Sequence, residues 1–250
     1  MNKQTILFDL DDTLIHCNKY FHAVIDEFAD WIVSWFEGFP VSKEQVKEIQ
    51  YEIDVSAVAE LGFAAGHFPR SLVRTYEYFC AAHGCKPSEN KREQLVELGK
   101  SVYLHPDIEP YPHMNETLGV LSDQGHELYL YTGGDEEIQY RKIQKMGLET
   151  YFGDRIFIRQ HKTTETLESI LNQGKFNRSR TWMIGNSIRT DVVPALETGI
   201  NAIHIPAIME WKYNIVDIPV KPQRSFLRLN SLIEVPPALQ FPDRSGEAAN

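Results

Sequence analysis

Hydrophobic residues along the chain fall into two rhythms. The first is a set of short, nearly continuous apolar runs: Ile6, Leu7 and Phe8, then segments at 126–134, 154–160, 180–186 and 200–206. Continuous runs of this length suit strands covered on both faces, as in a parallel sheet. Helical spacing fills the later intervals, at about 135–146, 163–173 and 190–198. Strands alternating with helices predict an α/β fold with a doubly wound parallel sheet, whose ligands collect at the carboxyl ends of the strands.

The second rhythm occupies residues 15–110. Phe21, Ile25, Phe28, Ile32 and Trp35 follow one another at steps of four and three, which predicts a helix with one apolar seam. Val46, Ile49 and Ile53 keep that spacing, as do Leu72, Tyr76 and Phe79 and then Leu95, Leu98 and Val102. Breaks at Gly38-Phe39-Pro40, from Gly62 to Pro69 and from Gly84 to Pro87 separate the helices. The pattern therefore predicts a small α-helical bundle, residues 15–110, inserted into an α/β core formed by residues 1–14 and 111–250. Aromatic residues at this spacing read as core, not as a cofactor box. Beyond Trp211 the chain is richer in proline (Pro219, Pro222, Pro236, Pro237, Pro242), with a strand expected near FLRL and mobility in the closing DRSGEAAN.

Composition narrows the partners. Hydrophobic residues make up 42% of the chain and charged residues 24%, a globular balance that excludes a disordered or collagen-like chain. A formal net charge of -10 without a basic patch argues against nucleic acid, although a metal ion and a cationic side chain can still seat a small anion. Cys17, Cys80 and Cys85 are odd in number and lack metal-ligand spacing, which points to a reducing compartment. No apolar run reaches the roughly 18 residues of a membrane span, so no membrane partner and a cytoplasmic location are expected.

The chemistry begins at ILFDLDDTLIH, residues 6–16, where Asp9, Asp11 and Asp12 crowd the end of the first strand. Clustered carboxylates repel, which raises pKa values or calls for a cation. The predicted topology brings Thr132, Lys162 and Asp191 to the neighbouring strand ends, and the acidic pair Asp9 and Asp11 together with the distant Asp191 suits a hard divalent cation such as Mg²⁺.

In order along the chain, DLDDT at 9–13, YTGG at 131–134, Lys162 within RQHKTTETL, and GNSIRTD at 185–191 followed by PALETG resemble the four motifs of the haloacid dehalogenase (HAD) superfamily. The resemblance spans about residues 4–206, the bundle matching only in placement and type. It implies a HAD-like, Rossmann-type fold whose helical bundle caps the site, and a Mg²⁺-dependent phosphohydrolase acting on a small phosphorylated metabolite. It also implies roles. Asp9 would be the nucleophile that forms an aspartyl-phosphate, Asp11 the general acid and base, and Thr13 a support for the motif loop. Thr132, the backbone of Gly133 and Lys162 would bind the phosphoryl oxygens. Asp9, Asp11 (through its backbone carbonyl), Asp191 and Asn186 would hold the metal. Two positions depart from the family pattern: Asn186 stands where an acidic residue is more common, and Gly133 stands where asparagine is frequent.

Several readings compete with this one. A 2-haloacid dehalogenase of the same superfamily lacks the second aspartate, which Asp11 supplies here; a phosphomutase shares the whole catalytic set, and a binding module would keep the fold without turnover. His16, beside the first motif, is a candidate for substrate contact. His22, His67, His105, His113, His126, His161 and His204 show no zinc-like pairing and read as caps, surface or satisfied core residues. Arg70 and Arg74 read as a solvated face.

Overall fold

The computed structural model describes residues 3–104 and 107–240; His105 and the DRSGEAAN segment lie outside the described residues. In chain order the elements are β1 (Thr5–Phe8), α1 (Asn18–Trp35), α2 (Lys43–Leu61), α3 (His67–Ala82), α4 (Glu89–Ser101), α5 (Met114–Asp123), β2 (Glu127–Gly133), α6 (Glu136–Lys145), α7 (Glu149–Phe152), β3 (Ile156–Arg159), α8 (Thr164–Gln173), β4 (Thr181–Gly185), α9 (Val193–Glu197), β5 (Asn201–His204), β6 (Phe226–Arg228) and α10 (Val235–Gln240). They divide into two compact units, one of Met1–Asn18 with Ile108–Asn250 and one of Lys19–Asp107.

The first unit is built on a six-stranded sheet in the order β3-β2-β1-β4-β5-β6, with every pairing parallel. β1 lies inside the sheet, with Thr5 opposite both Glu127 and Thr181. Alternation along a strand sends Ile6 and Phe8 into one core, with Leu118, Leu130 and Ile184, and Leu7 into the other, with Tyr131, Leu167 and Met183. Both faces are therefore dry, which is why the strand reads as an unbroken apolar run. Each such buried side chain contributes about 1.5–3 kcal/mol.

Three helices are not announced by the periodicity. α5 buries Met114, Thr117, Leu118 and Leu121, so one of its four inward positions is polar. α7 has four residues, and α10 opens with Pro236 and Pro237 in a tail that reads as irregular. The helix expected at 190–198 is instead one π-turn, Ile188–Val192, followed by α9. Ser187 starts the turn by accepting from the N–H of Thr190, and Pro194, which has no N–H to offer, sits in the first turn of α9.

The second unit packs α1 to α4 around Phe28, Ile32, Phe36, Val46, Leu72, Tyr76, Phe79 and Leu95. The seam of α1 is rotated from the one predicted: Phe28, Ala29 and Ile32 are buried, while Phe21, Ile25 and Trp35 flank the core. In α2 the buried stripe is Val46, Gln50, Asp54 and Val58, with Ile49 and Ile53 to one side. Two polar residues can occupy that stripe because α3 satisfies them. Gln50 donates to Ser71 Oγ at 3.0 Å, and Asp54 pairs with His67 Nδ1 at 3.1 Å.

Candidate active site

β1 delivers Asp9 to the carboxyl edge of the sheet, where its N–H donates to Ile184 O at 2.9 Å. The Asp9 carboxylate is buried and held at both oxygens: Lys162 Nζ lies 2.7 Å from Oδ1, and the Thr13 hydroxyl donates to Oδ2 at 2.9 Å. Lys162 also pairs with Asp191, so two carboxylates share one ammonium. Burial pushes Asp9 up to about 7; Lys162 opposes the rise, and the charges of Asp191 and Asp11 add to it. Burial works against the charge of Lys162, yet Asp191 and Asp9 outweigh it and hold the ammonium above its ordinary range.

Asp191 comes from the π-turn. Its Oδ2 accepts from the N–H of Ser187 at 3.0 Å and lies against Gly185, where a Cβ would meet that oxygen at 2.2 Å. Only glycine fits beneath this carboxylate. Asn186 is held on both sides: its N–H donates to Thr13 Oγ1 at 3.1 Å, and its carbonyl lies 2.9 Å from His204 Nε2.

Asp11 points elsewhere. Lys142 Nζ lies 2.8 Å from each of its oxygens, and Gln139 Nε2 donates to Oδ2 at 3.0 Å. The same Gln139 nitrogen lies 2.7 Å from Thr132 Oγ1, which connects the acidic loop to the end of β2. Gln139 and Lys142 stand three residues apart on one face of α6, and neither carries a sequence signal, because a polar residue on a helix ordinarily marks its solvent side.

The sequence-predicted residues thus form two adjoining groups, Asp9, Lys162, Asp191, Asn186 and Thr13 in one, Asp11 and Thr132 in the other. Gly133 ends β2 beside Thr132. The His16 ring lies 4.4 Å from that of Tyr111, and its backbone N–H donates to Glu109 O. Arg70 and Arg74 are exposed in the helical unit.

Among the described residues no three His, Cys, Asp or Glu side chains converge as a metal cage. The available donors are oxygens: the carboxylates of Asp9 and Asp191, the Asn186 amide and the Asp11 backbone carbonyl. The charges of Asp191 and Asp11 help to raise Asp9, and a bound cation would offset that repulsion. A sparse, hard, all-oxygen set of this kind fits Mg²⁺, which completes its shell with water and phosphate oxygens. Among the described residues no helix is long and apolar enough to cross a membrane.

A parallel sheet carrying carboxylates and a buried lysine at its strand ends places the chain in the α/β class, with its polar site at the carboxyl edge where such folds bind ligands. The chain belongs to the haloacid dehalogenase-like hydrolase family, whose model matches residues 3–199. It is 23% identical over 234 residues to a glyceraldehyde 3-phosphate phosphatase of Methanocaldococcus jannaschii, covering 92% of this chain and 94% of that protein. Its fold is similar to a haloacid dehalogenase-like family hydrolase from Xanthomonas campestris, with a TM-score of 0.78 at 23% identity over 96% of this chain and 92% of that one. The magnesium-bound HAD hydrolase YfnB of Bacillus subtilis matches with a TM-score of 0.62 at 19% identity, over 96% and 99% of the two chains.

Proposed function

We propose that the protein is a Mg²⁺-dependent phosphohydrolase of a small phosphorylated metabolite, working through an aspartyl-phosphate on Asp9. The observation that carries this reading is the buried Asp9 carboxylate, held at once by Lys162 and Thr13 at the end of β1. In the first step an Asp9 oxygen attacks phosphorus while the bond to the substrate oxygen breaks and Asp11 protonates the departing alkoxide. In the second, water attacks the phosphorus, Asp11 takes its proton and Asp9 is released with inorganic phosphate. Thr132 donates to a phosphoryl oxygen, and Lys162 balances the charge gathered around Asp9. Asp9, Asp191, Asn186 and the Asp11 carbonyl would hold Mg²⁺, whose contribution when bound is to neutralise phosphoryl oxygens and nucleophile together.

The test is phosphate release across a panel of phosphorylated metabolites, glyceraldehyde 3-phosphate included because a phosphatase similar to this chain is named for it. Release is expected with Mg²⁺ and lost in excess chelator; undiminished release in chelator refutes the metal requirement. Asp9→Asn is expected to abolish turnover, and Asp11→Asn to slow it about a hundredfold as acid and base assistance is lost.

A further inference from the structure

Gln139 is 2% exposed, yet nothing in the two-step reaction uses it. Its surroundings fix the orientation of its amide. Lys142 Nζ lies 2.8 Å from each Asp11 oxygen, so both oxygens act as acceptors, and the group facing Oδ2 at 3.0 Å is the NH₂ and not the carbonyl oxygen. One amide hydrogen goes to Asp11. The other goes to Thr132 Oγ1 at 2.7 Å, which makes the hydroxyl an acceptor on that side. A hydroxyl has one hydrogen, and with its Gln139 side occupied by a donor that hydrogen must point elsewhere. Among the described residues, the acceptor within reach of it is the adjacent Gly133 carbonyl, at a long 3.4 Å.

From this geometry we infer that Gln139 is a positioning residue: its amide polarises the Thr132 hydroxyl as a donor toward the phosphoryl group and sets Asp11 in register with it. The inference rests on the phosphohydrolase reading. Lys142 supports the arrangement by gripping both Asp11 oxygens, so the carboxylate cannot turn away from the amide. Glycine at 134 makes room for the side chain, since a Cβ there would meet Gln139 Cγ at 3.0 Å and the backbone φ is +139°. Gly134, the second glycine after Thr132, thus leaves space for an amide arriving from α6.

The experiment is a double-mutant cycle read by orthovanadate binding in Mg²⁺ buffer, with Michaelis parameters for a small aryl phosphate alongside. Gln139→Met keeps the volume and removes both donors. It is expected to weaken vanadate binding about fivefold to tenfold in the wild-type background, and less than about twofold when combined with Thr132→Val, where no hydroxyl remains to orient. Equal losses in the two backgrounds would overturn the inference, since packing alone acts regardless of the hydroxyl. If Gln139→Met does not fold, Gln139→Asn takes its place in the cycle; it keeps the amide but is one methylene too short to reach both partners. Wild-type protein that neither binds vanadate nor turns over the aryl phosphate would refute the phosphohydrolase reading and this inference with it. Wild-type activity combined with an additive cycle refutes only the role of Gln139.

Discussion

Asp12 shows how much a single buried side chain can carry. It sits at a φ of 60°, and its carboxylate accepts from the N–H groups of Cys17 and Asn18, at 3.1 and 2.8 Å, and from the Tyr111 hydroxyl at 3.4 Å. It therefore ties the segment leaving the first motif to the segment that returns at Tyr111. Burial pushes its pKa up to about 7, against the two backbone hydrogen bonds. The unfolded chain releases this proton near pH 4, while the folded protein keeps it to about 7, so the folded state binds more protons in that window and stability declines as pH rises through it. Asp12→Asn removes that term. Between pH 5 and pH 8 the wild type is expected to lose on the order of 1–3 kcal/mol more stability than the variant, as measured by urea unfolding. Parallel pH profiles for the two proteins would show that Asp12 is ionised throughout. Asp9, Thr132, Lys162 and Asp191 were legible as site candidates because each is polar at the end of an apolar strand or in the turn beyond it. Gln139, Lys142 and the pinning role of Asp12 were not, since each depends on a partner far along the chain or across a turn.

At the scale of elements, strands were the easiest to read where the chain is buried on both faces, as at Ile6, Leu7 and Phe8 in β1 and at Trp182, Met183 and Ile184 in β4, so that successive positions are apolar. Helices were harder wherever a polar residue faces inward. The stripe of α2 contains Gln50 and Asp54, and no count of apolar spacing can find a seam completed by Ser71 and His67 on another helix. The contact between α3 and α4 offers a test of packing against propensity. Gly99 lies within α4 where a Cβ would stand 2.6 Å from Pro69 Cα, a backbone atom that cannot swing aside. Gly99→Ala gains about 1 kcal/mol in helix propensity. Overpacking costs about 1–3 kcal/mol, and here the obstructing atom is main chain, so the clash is expected to win. A thermal melt of the full chain should show a lower midpoint for the variant; a higher one would mean that the two helices part easily.

For the molecule as a whole, the order of motifs along the chain carried the family, and the alternation of strands and helices carried the sheet, while strand neighbours followed from neither. The sheet order places β1 between β2 and β4, with Thr5 opposite Glu127 on one side and Thr181 on the other. During translation this matters. β1 is synthesised before both of its partners, and at about 5–20 residues per second the first of them arrives roughly 6–25 s later, the second later still. Until then Ile6, Leu7 and Phe8 form a sticky segment on a growing nascent chain. The helices of residues 19–107 are made in that interval, and α2 with α3 and α3 with α4 pack as neighbours in sequence, the kind of contact that forms fastest. Nascent chains stalled before β2 has emerged should therefore resist protease across the helices while remaining cleavable, and available to chaperones, around β1; protection of β1 at that stage would contradict this order of events. The strand that presents Asp9 is in this sense made well ahead of the strands that flank it and among the last to be buried.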